Sequence, residues 1–215
     1  MKRAGIKGIG VYVPERVLTN RDLELMVDTS DEWIINRTGI KERRIVPDEL
    51  ATSDLAYYAA KEALADAGVA GEELDLIIVA TNTPDVLFPA TACLVQDRLG
   101  ARKAGAFDLQ AGCTSFIYAM VMANCFIAAG GNKYVLVIGA ECISRIVNWQ
   151  DRNTCVLFGD GAGAVVIGLV PDGYGILSSQ LRSDGSGASF LTLPAGMARL
   201  PATHDTVDRG LHYVH

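Results

Sequence analysis

Apolar and polar positions along the chain switch repeatedly between a strand-like and a helix-like period. Residues 5–13 alternate loosely and stop at Pro14, which predicts a strand. Asn20 is placed to cap a helix running to about Val27, and residues 29–38 predict a second short helix that ends at Gly39. Ser53 is placed to cap a longer helix to Ala67, with Leu55, Tyr58, Ala59 and Ala63 on one face and Gly68 as its stop. Residues 76–80, Leu-Ile-Ile-Val-Ala, show no polar alternation, as expected of a strand covered on both faces. Further along, the pattern predicts a helix over 90–99, a short buried strand over 106–109 and a helix over 114–129 stopped by Gly130 and Gly131. A second fully buried strand follows over 134–138. Residues 155–158 and 164–170 flank a glycine-rich turn.

Strands that alternate with helices in this way imply parallel βαβ units in a layered α/β fold. Pro171-Asp-Gly173 punctuates this first unit, and residues 175–181 predict the strand that opens another. The last forty residues hold Gly- and Pro-rich loops and two short apolar runs, with no closing helix. The expectation is a first unit over 1–170 and an unfinished second unit over 171–215, as in a fragment of a longer protein.

Composition narrows the class. The 215 residues are 50% hydrophobic with mean hydropathy +0.23, enough for a sizeable core. No apolar run is expected to reach membrane-spanning length. The N-terminus enters a strand-like pattern without a signal peptide's apolar stretch, so the expectation is a cytoplasmic protein with no membrane partner. A net charge of −6 and a pI near 5.0 exclude a basic nucleic-acid footprint. Five cysteines, at 93, 113, 125, 142 and 155, are odd in number and lack CxxC spacing. Neither a disulfide framework nor a metal site is expected.

Cys113 is the main chemical candidate. It falls in the turn between the strand over 106–109 and the helix over 114–129. At a helix N-terminus the unpaired N–H groups and the dipole favour negative charge. Such a place favours the thiolate, the form that attacks carbonyl carbon. Gly112 permits a tight turn and leaves room for a substrate. From residue type and place alone, a buried structural thiol stays open beside the nucleophile.

Other motifs carry less. GDGAG over 159–163 is followed by a strand-like run, whereas a dinucleotide loop needs strand, glycines, then helix. A glycine hairpin, with Asp160 holding the turn, is the expectation. Trp33 and Arg37 are four apart and share a helix face, where an indole and a guanidinium can grip an adenine ring or a phosphate. The plainer reading is a half-buried Trp beside a solvated Arg. Arg152 reads as a loop cation, and the basic run over 41–44 as a solvated surface. His204, His212 and His215 read as surface residues rather than as a base for Cys113.

Taken together, DEWIINRTGIKERR (31–44), FDLQAGCTSF (107–116), FGDGAGA (158–164) and LTLP (191–194) resemble the β-ketoacyl-acyl carrier protein synthase III family. The resemblance runs in order from residue 1 to 215. It implies the thiolase-like layered αβαβα fold, with the first half complete and the second cut short. It implies initiation of fatty acid synthesis, in which an acyl-CoA starter condenses with malonyl-acyl carrier protein through an acyl-Cys113 intermediate. Both are substrates, and no cofactor or metal is implied.

Carried over by position, Cys113 matches the nucleophile. Trp33 and Arg152 match the pair that sandwiches the CoA adenine, with Arg37 and Thr29 beside the nucleotide. Phe158 matches a wall of the pantetheine tunnel. Phe88 matches the side chain that one subunit of a homodimer inserts into its partner's acyl pocket. Ile143 and Phe190 match acyl-pocket positions, Phe190 being larger than the aliphatic residue often found there. The family's catalytic His and Asn, its glycine-rich C-terminal loop and most of its carrier-protein patch fall after residue 215. Two alternatives remain at this stage: a thiolase-fold condensing enzyme of secondary metabolism, and a non-catalytic binding or structural fragment.

Overall fold

The computed structural model describes residues 3–215. In chain order the elements are β1 (Ala4–Tyr12), β2 (Val17–Thr19), α1 (Asn20–Glu24), α2 (Asp31–Thr38), β3 (Glu42–Arg44), α3 (Thr52–Ala67), β4 (Leu76–Ala80) and α4 (Thr91–Arg98). They continue with β5 (Gly105–Leu109), α5 (Ser115–Ala129), β6 (Tyr134–Cys142), α6 (Arg152–Cys155), β7 (Asp160–Leu169) and α7 (His204–Asp208). The chain forms two compact units. One comprises residues 3–14, Val46–Glu141 and Gly161–Leu181, and the other Glu15–Ile45, Cys142–Asp160 and Arg182–His215.

The first unit is built on a five-stranded sheet of order β1-β7-β6-β4-β5. β4 runs parallel to both β5 and β6, with Ile78 level with Phe107 on one side and Val137 on the other. β1 is antiparallel to β7, so the sheet is mixed rather than all parallel. β4, between β6 and β5, is buried at every residue. Ile77 and Val79 pack with Ala56, Ala60 and Val95 of α3 and α4, while Leu76 and Ile78 pack with Ala119, Ala123 and Ile127 of α5. Burial on both faces is why this run shows no alternation. β5 is the sheet edge and is only half-buried, which corrects the expectation of a buried strand over 106–109.

Helix α3 lies directly on β1. A Cβ on Gly8 would fall 2.4 Å from the Ala67 nitrogen, and one on Gly10 would fall 2.2 Å from the Ala59 carbonyl oxygen. Glycine at both positions is therefore a packing requirement. The Ile9 and Val11 N–H groups on the outer edge of β1 donate to the Asp66 and Glu62 carboxylates of α3, at 2.8 and 2.6 Å. These side chains satisfy an edge that would otherwise be open to another strand.

The second unit has its own cluster of Leu23, Ile34, Val147, Cys155 and Val156. α2 starts at Ser30, which accepts from the Trp33 N–H at 3.1 Å, and stops at Gly39 in the left-handed region (φ 74°).

Several expectations need correction. Thr19, not Asn20, caps α1. Asn20 is turned inward, donating to Asp31 Oδ1 and the Ile40 carbonyl and accepting from Arg43 Nη2 at 3.0 Å. Arg43 is 5% exposed and also donates to the Val156 carbonyl, so the basic run is not a uniformly solvated surface. α3 has Ala51 at its cap, because Ser53 is engaged by Asp85. The glycines over 159–163 do not form a hairpin. Strand β7 already begins at Asp160, since Ala162 and Gly163 pair with Tyr12 and Val11 of β1. Residues 175–181 form no strand and make one backbone bond across to β1, from Ile176 N–H to the Ala4 carbonyl. An 18-residue stretch, Gly112–Ala129, does reach membrane-spanning length and hydropathy. Its helix instead packs Ala119, Ala123 and Ile127 against the sheet of the first unit.

Candidate active site

Cys113 lies where β5 gives way to α5, two residues before the first helical residue. Its thiol is exposed. Gly112 sits at φ 59° with open space where a Cβ would be, so conformation rather than crowding demands glycine there. The turn is tied by two hydroxyls. Ser115 Oγ accepts from the Ala111 N–H at 2.6 Å and donates to the Gly112 carbonyl at 2.7 Å. Thr114 Oγ1 donates to the Ala111 carbonyl at 2.8 Å. Thr114 thus spends its hydroxyl on the turn and does not cap the helix. The first-turn N–H groups of α5 are left without a side-chain cap on the side of the chain that carries Cys113, the arrangement that attracts an anion.

The other thiols differ. Cys142 and Cys155 are buried and Cys93 is half-buried, donating weakly to the Ala106 carbonyl at 3.8 Å. Burial pushes the Cys155 thiol above its usual pKa, nearby Asp151 adds to the rise, and Arg43 partly opposes it. Cys125 is exposed on α5.

In the second unit, Trp33, Arg37 and Arg152 come together. The Arg152 guanidinium carbon is 4.7 Å from the Trp33 ring centroid and that of Arg37 is 5.9 Å away. Arg152 Nη1 donates to the Asp28 carbonyl at 2.9 Å, and the Asp28 carboxylate lies 3.9 Å off. Trp33 packs against the Leu23–Ile34 cluster, as do Phe158 and Ile143. Thr29 Oγ1 is buried and, among the described residues, has no hydrogen-bond partner. Asp160, in the beginning of β7, accepts from the Ser144 N–H at 2.8 Å and so fixes the short 3-10 turn that carries Ile143.

Phe88 and Phe190 are both exposed. Phe88, in the loop before α4 and followed by a cis peptide bond to Pro89, is 80% exposed. Phe190 is 85% exposed, and its N–H donates to the Gly187 carbonyl of its own loop at 3.0 Å. Of the histidines, His212 Nε2 is bonded to Thr206 Oγ1 at 3.0 Å and His215 Nε2 to the Gly210 carbonyl at 3.2 Å.

Sequence reasoning missed Ser115, Asp85 and Glu141. A lone carboxylate in an apolar strand run, as at Glu141 in β6, is the signal that could have been followed.

Comparison with known proteins gives this geometry a context. The family model for 3-oxoacyl-[acyl-carrier-protein (ACP)] synthase III matches residues 107–185, the stretch that holds both Cys113 and Arg152. The β-ketoacyl-[acyl-carrier-protein] synthase III of Caldanaerobacter subterraneus is 60% identical over 211 residues, covering 98% of this chain and 64% of that protein. The chain thus spans somewhat under two thirds of that relative's length. The crystal structure of 3-oxoacyl-[acyl-carrier-protein] synthase III from Aquifex aeolicus matches at 57% identity and a TM-score of 0.83, over 85% of this chain and 59% of that one. A 2.1 Å crystal structure of a 3-oxoacyl-(acyl-carrier-protein) synthase III matches at 32% identity and a TM-score of 0.88, over 99% of this chain and 67% of that one. The mixed sheet, with α3 and α4 on one face and α5 on the other, is accordingly the thiolase-like α/β fold that the motifs implied. With its fold, its cysteine turn and its sequence in agreement over nearly its whole length, the chain belongs to the 3-oxoacyl-[acyl-carrier-protein] synthase III family.

Proposed function

We propose that Cys113 is the acyl-accepting nucleophile of a β-ketoacyl-acyl carrier protein synthase III that starts fatty acid synthesis. The observation that carries this reading is the exposed thiol on a hydroxyl-tied turn at the N-terminus of α5. The Cys113 sulfur attacks the thioester carbon of a short acyl-CoA such as acetyl-CoA. A carbon–sulfur bond forms, the carbonyl electrons move onto oxygen, and their return expels the CoA thiolate, which takes up a proton. The Cys113 backbone N–H faces the oxyanion as one donor. Malonyl-acyl carrier protein then loses CO2, and the resulting enolate carbon attacks the acyl-Cys113 carbonyl and releases the Cys113 thiolate.

Trp33 stacks the adenine, with Arg152 and Arg37 beside it and the Thr29 hydroxyl as a polar contact. Phe158 lines the path of the pantetheine arm. Ile143, Phe190 and the Phe88 of a second subunit wall the acyl pocket. The reading includes a cytoplasmic homodimer and residues 1–170 as the first thiolase-like half. It also holds that residues 1–215 alone accept an acyl group without completing the condensation. Support for that last point comes from the rings of His212 and His215, which are already engaged by Thr206 and Gly210.

Intact-mass measurement after incubation with acetyl-CoA tests the proposal. The expected result is one added acetyl group, lost in Cys113→Ser and retained in Cys125→Ser. A chain that gains no acetyl group is a binding or structural module instead. A condensation product from the 215 residues alone would refute the division of labour.

A further inference from the structure

Three carboxylates around the C-terminal ends of the parallel strands take no part in the chemistry above. Glu141 of β6 accepts from Asn82 N–H and Nδ2, both at 2.7 Å, and from Thr83 Oγ1 at 2.6 Å. Asp85 accepts from the Ser53 N–H at 2.8 Å and from Ser53 Oγ at 2.7 Å, and its own N–H donates to Thr91 Oγ1 at 3.2 Å. Asp108 of β5 accepts from the Thr91 and Ala92 N–H groups at 2.7 and 2.8 Å. Ser53 and Thr91 are buried. The loop after β4 is therefore anchored on β6, on the first turn of α3 and on the start of α4. Charge-assisted bonds of this kind are short and directional.

What this base carries is apolar. Val86, Leu87 and Phe88 are all exposed at the tip. A polar base so fully bonded under an exposed tip holds that tip in one place. Asp85 is the last anchor before the tip and joins α3 to α4 through Ser53 and Thr91.

We propose that Asp85 is a positioning residue. Through Ser53 and Thr91 it fixes where Phe88 stands in the acyl pocket of a second copy, and thereby how long an acyl chain that copy's Cys113 accepts. The inference rests on the acyl-pocket role given to Phe88 above. A fixed aromatic wall rejects an extra methylene, whereas a wall free to swing yields to it. Fixed apolar pockets discriminate by about 10–200-fold per methylene.

The test compares initial rates of Cys113 acylation by acetyl-, butyryl- and hexanoyl-CoA, read by intact mass. The parent chain is expected to favour acetyl over hexanoyl. Asp85→Ala is expected to cut that ratio by about ten-fold. Asp85→Asn should restore it, because its amide oxygen still accepts from the Ser53 N–H and its NH2 can donate to Ser53 Oγ. A role in stability alone would lower all three rates together and leave the ratio fixed. Should Asp85→Ala fail to fold, Ser53→Ala removes one anchor bond and reads the same ratio. A selective parent whose ratio is unchanged in these variants overturns the inference alone, as does a parent that accepts all three chains equally. A parent acylated by none of them overturns the acyl-transfer reading, and the inference with it.

Discussion

Arg152 occupies the face of Trp33, its guanidinium carbon 4.7 Å from the ring centroid and its Nη1 bonded to the Asp28 carbonyl. A purine stacking on that face has to displace Arg152 outward, so that the cation comes to lie over the base instead of over the indole. Trp33→Ala removes the platform on which both stack. The expected loss in acyl-CoA binding is ~1–3 kcal/mol, by analogy with base–aromatic stacking. It should appear mainly in KM. Isothermal titration with CoA is the check, and unchanged affinity would leave Trp33 as a packing residue over the Leu23–Ile34 cluster.

Thiol reactivity separates exposure from activation. Cys113 and Cys125 are both exposed, but Cys113 precedes the N-terminus of α5, while Cys125 lies inside the helix. Iodoacetamide should therefore label Cys113 first, Cys125 next, and Cys142 and Cys155 last. Peptide mapping over a time course gives the order. Equal rates at Cys113 and Cys125 would mean that accessibility alone governs the reaction. Cys113→Ser should abolish acylation with the circular dichroism spectrum unchanged.

Ser115 makes a separate prediction, because its hydroxyl bridges Ala111 and Gly112. Ser115→Ala removes two bonds from the turn, each worth about 1 kcal/mol net. Acylation of Cys113 should slow by about ten-fold or more, with a stability loss of about 2 kcal/mol, since the Ser115 hydroxyl is buried. Gly112→Ala should cost a comparable amount, because φ 59° costs a side chain roughly 1–2 kcal/mol. Rates equal to the parent in Ser115→Ala would show that the turn holds its shape without the hydroxyl.

The place of Cys113 was legible in the sequence because its determinants are local: a short strand, a glycine and an apolar helix within 25 residues of chain. The glycine stops at 39, 68, 100 and 130 were legible for the same reason, each having a positive φ where a helix ends. What escaped reading depends on distant partners. Glu141 and Asn82 are 59 residues apart, and nothing near either one announces the other. Asn20 and Ser53 look like caps, yet Arg43 and Asp85 claim their side chains. The glycines after Phe158 looked like a turn because their strand exists only through pairing with β1, at the other end of the chain.

Phe88 predicts assembly. With Val86 and Leu87 it presents an apolar tip to solvent on a well-anchored base. Exposed apolar groups of this kind favour a covering partner, and a second copy is the partner expected here. Sedimentation at low micromolar concentration, below the onset of aggregation, should show a two-fold dimer, and Phe88→Asp should shift it toward monomer. A parent chain that sediments as a monomer would remove the Phe88 contact from the proposed acyl pocket.

The last prediction concerns the sheet face opposite α3. Successive side chains of a strand point to opposite faces, so with Gly8 and Gly10 turned toward α3, Ile9 and Val11 face the other way. Both are exposed, as are Ile6 and Val13 nearby and Ile117 of α5. The same unit has an apolar hollow of about 610 Å³ lined by Ile6, Met120, Val170, Tyr174 and Ile176. Together these make an uncovered apolar surface of the kind that drives association in water. The Asp66 and Glu62 carboxylates cap the β1 edge, so association should proceed through the face and not by strand pairing. The 215-residue chain is therefore expected to bind a hydrophobic dye and to aggregate with rising concentration. A double substitution, Val11→Lys with Ile117→Lys, should reduce both effects, whereas Asp66→Asn should change them little. Light scattering across a concentration series distinguishes the two, and a parent chain that stays dispersed without dye binding would show that this face is not adhesive.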